Sequence, residues 1–364
     1  MQRPRRIAIV AAGPDIVGGQ SVQALALVAA LRADGVGVAY LAINPRFPRG
    51  LRWVRRVPYL RTLLNQLLYL PGLLRLGAAE VAHVFSASYT SFLISPVPAM
   101  IAGRLLRKRV VLHYHSGEAA DHLARYGLLV HPWLRLAHDI VVPSEYLAAV
   151  FRQHGYRATV IPNIVDVSHF HPTARTIDGP RLLSARNLER YYRVDVILEA
   201  FARIKSRYPR ATLTIAGHGS EEPRLRQAAA DGVTFAGKVS RERIPALYAN
   251  ADILVNASEV DNQPVTILEA FAAGLPVVTT PAGDIPSMVD HERTGLIVPF
   301  EDATAIAFAV CRLVEDRALA SRLTESAARE VQRYTWESVR DAWSAIYGGD
   351  TVNAGNVRGM IRVA

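Results

Sequence analysis

The chain contains a single cysteine, Cys311, among its 364 residues. One thiol excludes a disulfide framework and a zinc site built from cysteines, and such low usage is typical of a reducing cytoplasm. Runs of about 18 uncharged apolar residues are also absent, so we expect no segment that spans a membrane. Charged residues make up only 20% of the chain and hydrophobic residues 50%, which excludes an intrinsically disordered protein.

The first residues have some features of a targeting signal, because Arg5 and Arg6 precede the apolar run of residues 7–12. The run is too short for a secretory leader, however, and residues 13–15 break it without a cleavage site. We therefore interpret residues 7–12 as the first buried strand of a protein that acts in the cytoplasm.

Positive charge is concentrated in the first half of the chain. Residues 1–180 contain 20 Lys and Arg against 9 Asp and Glu, giving +11, whereas the remainder contains 22 against 23, giving −1. This imbalance predicts an anionic partner for the first half only. No RNA-binding aromatic motif, zinc finger or basic helix-turn-helix signature accompanies it, so we expect no nucleic acid as a partner.

Short β-branched runs alternate with longer amphipathic runs, which predicts parallel α/β architecture. In the first half we expect strands near 6–12, 36–43, 81–85, 109–114 and 139–142, and helices near 19–33, 59–70 and 144–154. In the second half we expect strands near 181–184, 211–216, 233–235, 253–256, 276–279 and 296–298, and helices near 194–207, 221–230, 244–249, 264–273, 302–315 and 317–332. The pattern predicts two doubly wound parallel sheets, joined around 164–180, with ligands at the carboxyl ends of the strands.

A polar loop followed by a short apolar helix carries the most specific signal. Asp261 and Glu269 bracket seven residues, and a β-branched strand follows after Gly274 and Pro276. The loop and helix start at 262–266 would present unpaired N–H groups to an anion, which the helix dipole also favours. One turn into the helix, Glu269 can accept two ribose hydroxyls. The segment therefore predicts a seat for a nucleoside diphosphate.

This segment resembles the Glu-x7-Glu element of the family 4 retaining glycosyltransferases, with Asp261 at the usual first Glu and Glu269 as the second. Further elements in matching order resemble other motifs of that family: residues 142–146, 161–166, 217–219, 235–239, 248–252 and 280–285. The resemblance implies the GT-B fold, in which two Rossmann-like domains face one cleft. It also implies transfer of a sugar from a nucleoside diphosphate sugar, UDP- or GDP-linked, to a hydroxyl acceptor.

The resemblance implies the domain organisation as well. Residues 1–165 would form an acceptor-binding domain and residues 166–334 a donor-binding domain. Residues 335–347 resemble the closing helix of the family, which packs back on the first domain. Residues 348–364 are rich in small and polar types, so we expect a mobile tail.

The donor site follows from the same motifs. Arg186 corresponds to the arginine of the family that grips the diphosphate, and its planar fork suits phosphate oxygens. The lysine that usually follows is missing, so Arg193 or Arg190 would substitute; we favour Arg193, although both could be solvated surface charges. The expected donor contacts are Gly18, Gly19, Arg186, Arg193, Lys238, Val239, Asn262, Gln263, Pro264, Val265, Thr266 and Glu269. At Gly18 and Gly19 a plain strand–helix turn would also use glycine.

Two histidines, His113 and His115, share one face at the carboxyl end of a predicted strand. Each alone could be a structural histidine, and a zinc pair would lack a third ligand. The resemblance favours His115 as the residue over the transferred sugar and Asp261 as the acid that holds the sugar hydroxyls. Glu259 is a rival for the acid role but lies two residues too far from Glu269. With no Asp-x-Asp pair in the sequence, we expect neither a metal nor a cofactor.

Segment 46–76 contains seven arginines and no acid. Within it, a stripe of Leu60, Leu63, Leu64 and Leu67 opposes one of Arg61, Thr62, Asn65 and Gln66. A basic amphipathic helix with nearby aromatic rings predicts an interfacial anchor on an anionic membrane. The enzyme would then be peripheral on the inner face of the membrane, which suits a lipid-linked acceptor. The alternative is an ordinary helix covering the first sheet, with a solvated arginine face.

The combined prediction is a retaining hexosyltransferase that acts in cell-envelope or exopolysaccharide synthesis. A non-catalytic GT-B subunit is the first alternative, because Asp261 replaces a Glu and the lysine is missing. An epimerase or phosphorylase of the GT-B fold is the second alternative. Phosphorylases of that fold bind pyridoxal phosphate through a lysine, and none of the three lysines, Lys108, Lys205 and Lys238, lies in such a setting.

Overall fold

The computed structural model describes residues 4–14, 18–86, 88–172 and 179–349. Their contacts divide the chain into two compact units. Unit 1 contains the described residues up to Ile164 together with those from Val339 onwards, and unit 2 contains those from Val165 to Ser338. Residues 350–364, which make up most of the expected tail, lie outside the described residues.

Unit 1 is built on six parallel strands: β1 (Arg6–Ala11), β2 (Gly37–Ala42), β3 (Val81–Ser86), β4 (Arg109–Tyr114), β5 (Asp139–Val142) and β6 (Thr159–Val160). Their order in the sheet is β2-β1-β3-β4-β5-β6. The central strands are buried almost throughout, because helices cover both faces of a parallel sheet. This explains why they are continuous apolar runs rather than alternating ones.

The helices of unit 1 are α1 (Gly19–Ala33), α2 (Pro58–Gly72), α3 (Tyr89–Ile94), α4 (Pro96–Leu105), α5 (Ala119–Leu134) and α6 (Glu145–Gln153). The sequence pattern predicted α1, α2 and α6 but not α3, α4 or α5. Two of these helices contain prolines, which in a sequence indicate the end of a helix. Pro96 lies in the first turn of α4, where its missing N–H is not needed, and Pro132 lies in the last turn of α5.

Unit 2 repeats the architecture with β7 (Arg181–Ala185), β8 (Thr212–Ala216), β9 (Val233–Gly237), β10 (Ile253–Asn256), β11 (Val277–Thr279) and β12 (Leu296–Ile297). The strands are parallel and their order is β12-β11-β10-β7-β8-β9. The flanking helices are α7 (Val194–Arg207), α8 (Glu222–Ala228), α9 (Ile244–Ala249), α10 (Val265–Ala272), α11 (Ile285–Met288), α12 (Ala303–Glu315) and α13 (Arg317–Glu330). Two doubly wound parallel sheets confirm the predicted fold class.

The last helix, α14 (Trp336–Gly348), begins in unit 2 and belongs to unit 1 from Val339 onwards. In unit 1 its Trp343 and Tyr347 rings lie against the His83 ring, at centroid distances of 5.1 and 5.8 Å. None of the helices in the described part of the chain has the length and hydrophobicity that a membrane span requires.

Candidate active site

An ion pair joins the carboxyl ends of two neighbouring strands in unit 2. Arg186 follows β7, Asp261 follows β10, and their charged groups are in contact, with each side chain only 10% exposed. The ring of Tyr192 lies 4.2 Å from the guanidinium carbon of Arg186, which adds a cation–π contact. Burial raises the pKa of Asp261, while Arg186 and the amide of Asn262 oppose that rise. The pair holds both side chains in one geometry.

Two glycines let neighbouring loops pack directly on the backbone of this pair. A Cβ at Gly217, after β8, would lie 2.0 Å from the carbonyl oxygen of Arg186. A Cβ at Gly283, after β11, would lie 2.0 Å from the carbonyl oxygen of Asp261. Both glycines also have positive φ, +149° and +54°. Only glycine fits at these positions, so the two loops fix where Arg186 and Asp261 stand.

The start of α10 has the features of an anion-binding site. Pro264 is its N-cap residue, and no side chain caps the helix. Its first N–H groups therefore have no partner within the helix, and the helix dipole places partial positive charge there. Close by, the Oγ1 of Thr266 is buried and makes no hydrogen bond in the described structure. Amide and hydroxyl donors are thus available together at one helix end.

Glu269 lies one turn further along α10. Its Oε2 accepts a hydrogen bond of 2.8 Å from the hydroxyl of the buried Tyr248, which also lies 3.1 Å from the carbonyl oxygen of Thr266. Burial raises the pKa of Glu269 to about 7, although the Tyr248 hydrogen bond acts to lower it. Glu269 therefore changes charge near neutral pH. Its Oε1 has no hydrogen-bond partner among the described residues.

Arg193 stands at the start of α7 with a φ of +47°, and its guanidinium is surrounded by acids. It pairs with Asp195 at 3.3 Å and also contacts Glu259 and Glu301, while its side chain is 19% exposed. The predicted grip on a diphosphate would therefore require Arg193 to exchange at least one of these partners. Arg190, the other candidate, is exposed. Which of the two contacts a donor stays a prediction.

The remaining predicted donor residues of unit 2 lie on nearby loops. Lys238 and Val239 directly follow β9; the side chain of Lys238 is exposed, and Val239 packs against the core beneath α10. Asn262 and Gln263 are buried in the loop before α10. Asn256, Ser258, Thr279 and Thr280 form a buried hydrogen-bonded group between the ends of β10 and β11. The sequence did not indicate this group, whose hydrogen bonds hold the end of β10 and the start of the following loop in place.

In unit 1, His115 lies just beyond the end of β4. Its ring centroid is 4.1 Å from that of His113 and 5.2 Å from that of Phe85, on which it stacks. Burial lowers the pKa of His115 to about 3, so the imidazole is neutral at physiological pH. A neutral imidazole has one N–H donor and one acceptor nitrogen, so it can hydrogen-bond to a ligand without carrying charge.

A hydrogen-bonded chain runs from α14 to the histidine beside His115. The Tyr347 hydroxyl lies 2.8 Å from Nδ1 of His83, and Nε2 of His83 lies 3.1 Å from Nδ1 of His113. All three side chains are buried. Sequence reasoning missed His83 and Tyr347, although a histidine inside the otherwise apolar strand β3 was the available signal.

Gly18 and Gly19, before and at the start of α1, differ from the glycines of unit 2. A Cβ added at either position would meet nothing within 4 Å. Gly18 has an extended φ of −169°, which any residue can adopt. The described fold therefore gives no reason for glycine at these positions.

Segment 46–76 exposes some of its leucines to solvent and buries others, since Leu73 and Leu76 belong to the core of unit 1. Leu60, Leu63, Leu67 and Leu70 of α2 are 39%, 58%, 62% and 47% exposed. In contrast, Asn65 of the same helix points to the loop after β2, where it donates a 2.8 Å hydrogen bond to the carbonyl oxygen of Ile43. Of the predicted stripe, Leu60, Leu63 and Leu67 are exposed and Leu64 is half-buried, while Tyr69 of the same helix is buried in the core of unit 1. Both interpretations of the segment stay predictions. No group of three or more acidic, histidine or cysteine side chains that could hold a metal ion occurs among the described residues.

The two parallel α/β units define a protein of the GT-B fold, and sequence comparison gives its family. The family model described as Glycosyl transferases group 1 matches residues 179–316, and that described as Glycosyltransferase Family 4 matches residues 17–169. The chain belongs to this family of glycosyltransferases, as the motifs in its sequence predicted.

Similar proteins are known from several organisms. Glycogen synthase of Mycobacterium tuberculosis is 28% identical over 282 residues, which cover 74% of this chain and 66% of the synthase. A GDP-mannose-dependent alpha-(1-6)-phosphatidylinositol monomannoside mannosyltransferase of the same species is 32% identical over 170 residues, 43% of this chain and 44% of that enzyme. The chain thus spans less than two thirds of these relatives.

Solved structures share the fold at low sequence identity. The crystal structure of Anabaena HepE in complex with UDP superposes with a TM-score of 0.71 at 17% identity, covering 94% of this chain and 99% of HepE.

Proposed function

We propose that this protein is a retaining glycosyltransferase that moves a sugar from a nucleoside diphosphate sugar to a hydroxyl acceptor. One observation carries the proposal. The Arg186–Asp261 pair stands at the strand ends of unit 2, near an uncapped helix start that is followed one turn later by Glu269. Arg186 and the N–H groups at the start of α10 suit the diphosphate of a sugar nucleotide, Glu269 suits its ribose, and Asp261 suits its sugar.

Each group of unit 2 has a defined role in this proposal. Arg186 and the N–H groups of Val265 and Thr266 stabilise the charge that develops on the leaving diphosphate, and Thr266 Oγ1 adds a donor. Within the predicted range 262–266, Pro264 has no N–H, and the N–H of Asn262 donates to Asp261 at 2.9 Å. Glu269 accepts the ribose hydroxyls through its open Oε1, and Asp261 holds the sugar hydroxyls. The acceptor hydroxyl attacks from the front face, with the leaving diphosphate as its base. Because arginines supply the positive charge, the proposed reaction does not depend on a metal.

Arg193, Lys238 and Val239 complete the donor contacts of the proposal. Arg193 would exchange one of its carboxylates for a diphosphate oxygen when the donor binds. The main chain at Lys238 and Val239 would pack against the base. HepE was crystallised with UDP, which makes UDP the first nucleotide to test, and GDP is the second because one relative is named for GDP-mannose.

In unit 1 we assign Gly18, Gly19 and His115 to ligand contacts. The absence of any neighbour around a Cβ at Gly18 or Gly19 supports this assignment, because a ligand approaching the backbone would explain the glycines. His115, neutral and stacked on Phe85, would exchange one hydrogen bond with the transferred sugar.

We further propose that segment 46–76 binds an anionic membrane surface from the cytoplasmic side. The exposed leucine stripe lies among seven arginines without an acid, and Trp53 and Tyr59 are 58% and 91% exposed. Rings of this kind lie at membrane interfaces. The location would suit a lipid-linked acceptor in cell-envelope or exopolysaccharide synthesis. One relative is named for a phosphatidylinositol monomannoside acceptor, which supports a lipid acceptor here.

A non-catalytic subunit of the same fold is the second candidate. The observation that favours it is the pairing of Arg186 and Arg193 with acids of their own chain, which offsets the charge a donor would need.

Incubation of the purified chain with UDP- and GDP-sugars distinguishes the two candidates. The enzyme should release UDP or GDP by slow hydrolysis, and proton NMR should show that the first-formed free sugar keeps the anomeric configuration of the donor. Asp261→Asn should lower this rate far more than it lowers donor affinity. If no sugar nucleotide releases UDP or GDP, the non-catalytic subunit is the better interpretation. A product with inverted anomeric configuration would overturn the retaining mechanism.

A further inference from the structure

A hollow of about 300 Å³ in unit 1 is lined by Arg46, Phe47, Arg52 and Arg55. This volume lies at the lower end of the range for small-molecule pockets, roughly 300–1,000 Å³. Three of the four lining residues are arginines, and we call this feature the arginine hollow. It belongs neither to the donor residues of unit 2 nor to the exposed leucine stripe of α2.

The arginine hollow stands near the carboxyl edge of the unit 1 sheet. Residues 43–48 continue from β2, and the amide of Ile43 donates to the carbonyl of Ala11 at the end of β1, at 2.9 Å. Asn44 accepts a hydrogen bond of 2.5 Å from the amide of Gly13. These bonds tie the loop that carries Arg46 and Phe47 to the segment that follows β1. Ligands of doubly wound sheets bind at this edge.

Two arginines of the arginine hollow, Arg52 and Arg55, are exposed and have no acid near them in the sequence. No acid occurs between residues 46 and 76, and no carboxylate of the described residues pairs with Arg52 or Arg55. Phe47 is buried, and its ring centroid lies 5.4 Å from the guanidinium carbon of Arg55, which restrains that side chain. An anion placed in the hollow would be attracted by both guanidinium groups, although water and salt weaken the attraction of exposed charges.

Phosphate is the anion that such a set of side chains fits best. Guanidinium groups present paired N–H donors that match two oxygens of one phosphate, and they stay charged at every physiological pH. A carboxylate would use one such fork, whereas several forks converging on one hollow suit the many oxygens of a phosphate or diphosphate.

We propose that the arginine hollow binds a phosphate or diphosphate group carried by the acceptor. This inference rests on the proposed glycosyl transfer and names the substrate class of its acceptor side. The phosphate could belong to a lipid-linked acceptor or to a soluble phosphorylated one. In the first case the apolar tail of the lipid could contact Leu60 and Leu63, which belong to the same segment and are exposed.

Calorimetric titration with inorganic pyrophosphate tests the proposal. Saturating UDP is present to occupy the donor seat, which pyrophosphate would otherwise also enter. The pocket variant is Arg52→Gln with Arg55→Gln, and the matched control is Arg56→Gln with Arg61→Gln, which removes the same charge from the same segment outside the hollow. The pocket variant should bind pyrophosphate at least roughly 100-fold more weakly, since one charge-assisted hydrogen bond is worth roughly 10- to 150-fold. The control should stay within about threefold, because only distant charge is lost.

Equal losses in the two variants, or no pyrophosphate binding by the parent, would overturn the arginine hollow as a site. UDP affinity measured on both variants shows that they are folded. If UDP does not bind the parent, the titration is run without it. Pyrophosphate binding through Arg52 and Arg55 would then preserve this site while the proposed transfer fails.

Farnesyl diphosphate identifies the source of the phosphate. Binding at least tenfold tighter than pyrophosphate supports a lipid-linked acceptor, and Leu63→Gln should then reduce the difference. Equal binding of the two probes supports a soluble phosphorylated acceptor. In either case the pocket variant must weaken both probes for the site to hold.

Discussion

The candidate ligand-binding residues of the two units differ in how their own neighbours hold them. In unit 2, Arg186 and Arg193 lie against carboxylates of their own chain, and Gly217 and Gly283 are required by close backbone packing. In unit 1, Arg52 and Arg55 have no carboxylate partner among the described residues. A Cβ at Gly18 would meet nothing, and four leucines of α2 point into solvent.

This difference separates features that the fold needs from features that it does not need. A residue explained by its own neighbours contributes to stability whether or not a ligand binds. A residue without such an explanation costs little to change in the free protein, so its effect should appear only when a partner is present. Substitution of Arg186, Gly217 or Gly283 in unit 2 should therefore affect stability and binding alike, whereas substitution of Arg52, Arg55 or Gly18 in unit 1 should affect binding alone.

The largest expected effect is that of Arg186→Ala. Removing the guanidinium leaves Asp261 buried and unpaired, so the free energy of unfolding should fall by about 3–5 kcal/mol, and UDP affinity should fall too. Arg52→Ala, the control in unit 1, should change stability by less than about 0.5 kcal/mol. Urea denaturation measures both. Similar stabilities for the two variants would remove the distinction between the units.

Glu269→Gln should produce the next largest effect. Ribose hydroxyls lose a charged acceptor, which should cost about 1.5–3 kcal/mol of UDP affinity per bond. Because the pKa of Glu269 is raised to about 7, UDP affinity of the parent should increase from pH 6 to pH 8 as the carboxyl ionises. Titration calorimetry at several pH values should show this slope in the parent and a flat profile in Glu269→Gln.

The same carboxyl makes a separate prediction for stability. Its pKa rises from 4.5 when unfolded to about 7 when folded, so the folded state binds more protons between these values. The contribution of Glu269 to the free energy of unfolding should therefore decrease as pH rises through that window. Glu269→Gln should remove this part of the pH dependence. An unchanged stability profile would show that the burial of Glu269 is less than the structure indicates.

Leu67→Gln tests the exposed stripe with a smaller effect. If α2 lies on a membrane, the variant should sediment about tenfold less with vesicles that contain anionic lipid, since an apolar side chain of this size contributes roughly 1.5 kcal/mol when it leaves water. Leu128→Gln, at a residue that is 94% exposed outside the segment, is the control and should bind like the parent. Rising salt should release the parent. A parent that ignores such vesicles at low salt contradicts the membrane proposal.

Gly18→Ala should have the smallest effect on stability, below about 0.5 kcal/mol, because its Cβ meets no atom. Gly283→Ala should cost far more, since its Cβ would lie 2.0 Å from the Asp261 carbonyl oxygen. The hydrolysis rate of Gly18→Ala should nevertheless fall if a ligand approaches this backbone. Full activity would mean that Gly18 belongs to a plain strand–helix turn.

Much of the fold could be predicted because buried parallel strands are continuous β-branched runs. The expected strand at 109–114 and helices at 19–33 and 194–207 match β4, α1 and α7 to the residue. The misses have physical causes. In the sequence Pro96 suggests the end of a helix, yet it stands where α4 begins. The two residues of β6 are too few to show a period.

The candidate site was less accessible to sequence reasoning. The charge and spacing of Arg186, Asp261 and Glu269 were visible, but their partners Tyr192 and Tyr248 were not, because contacts between distant segments leave no local pattern. The acids around Arg193 are Asp195, Glu259 and Glu301. Only the fold brings the last two close to it. Likewise, the leucine stripe was visible in the sequence, but only the structure shows that Leu60, Leu63 and Leu67 face solvent.

The most direct test of the account is donor binding by the intact chain. Thermal unfolding with UDP, GDP and their sugar derivatives should show stabilisation by nucleotides of one base, worth about 2.7 kcal/mol at 100 times the dissociation constant. The stabilisation should be strongly reduced in Arg186→Ala and in Glu269→Gln, but kept in Arg52→Ala. A parent protein that no nucleoside diphosphate or sugar nucleotide stabilises would contradict the central claim that unit 2 is a sugar-nucleotide site.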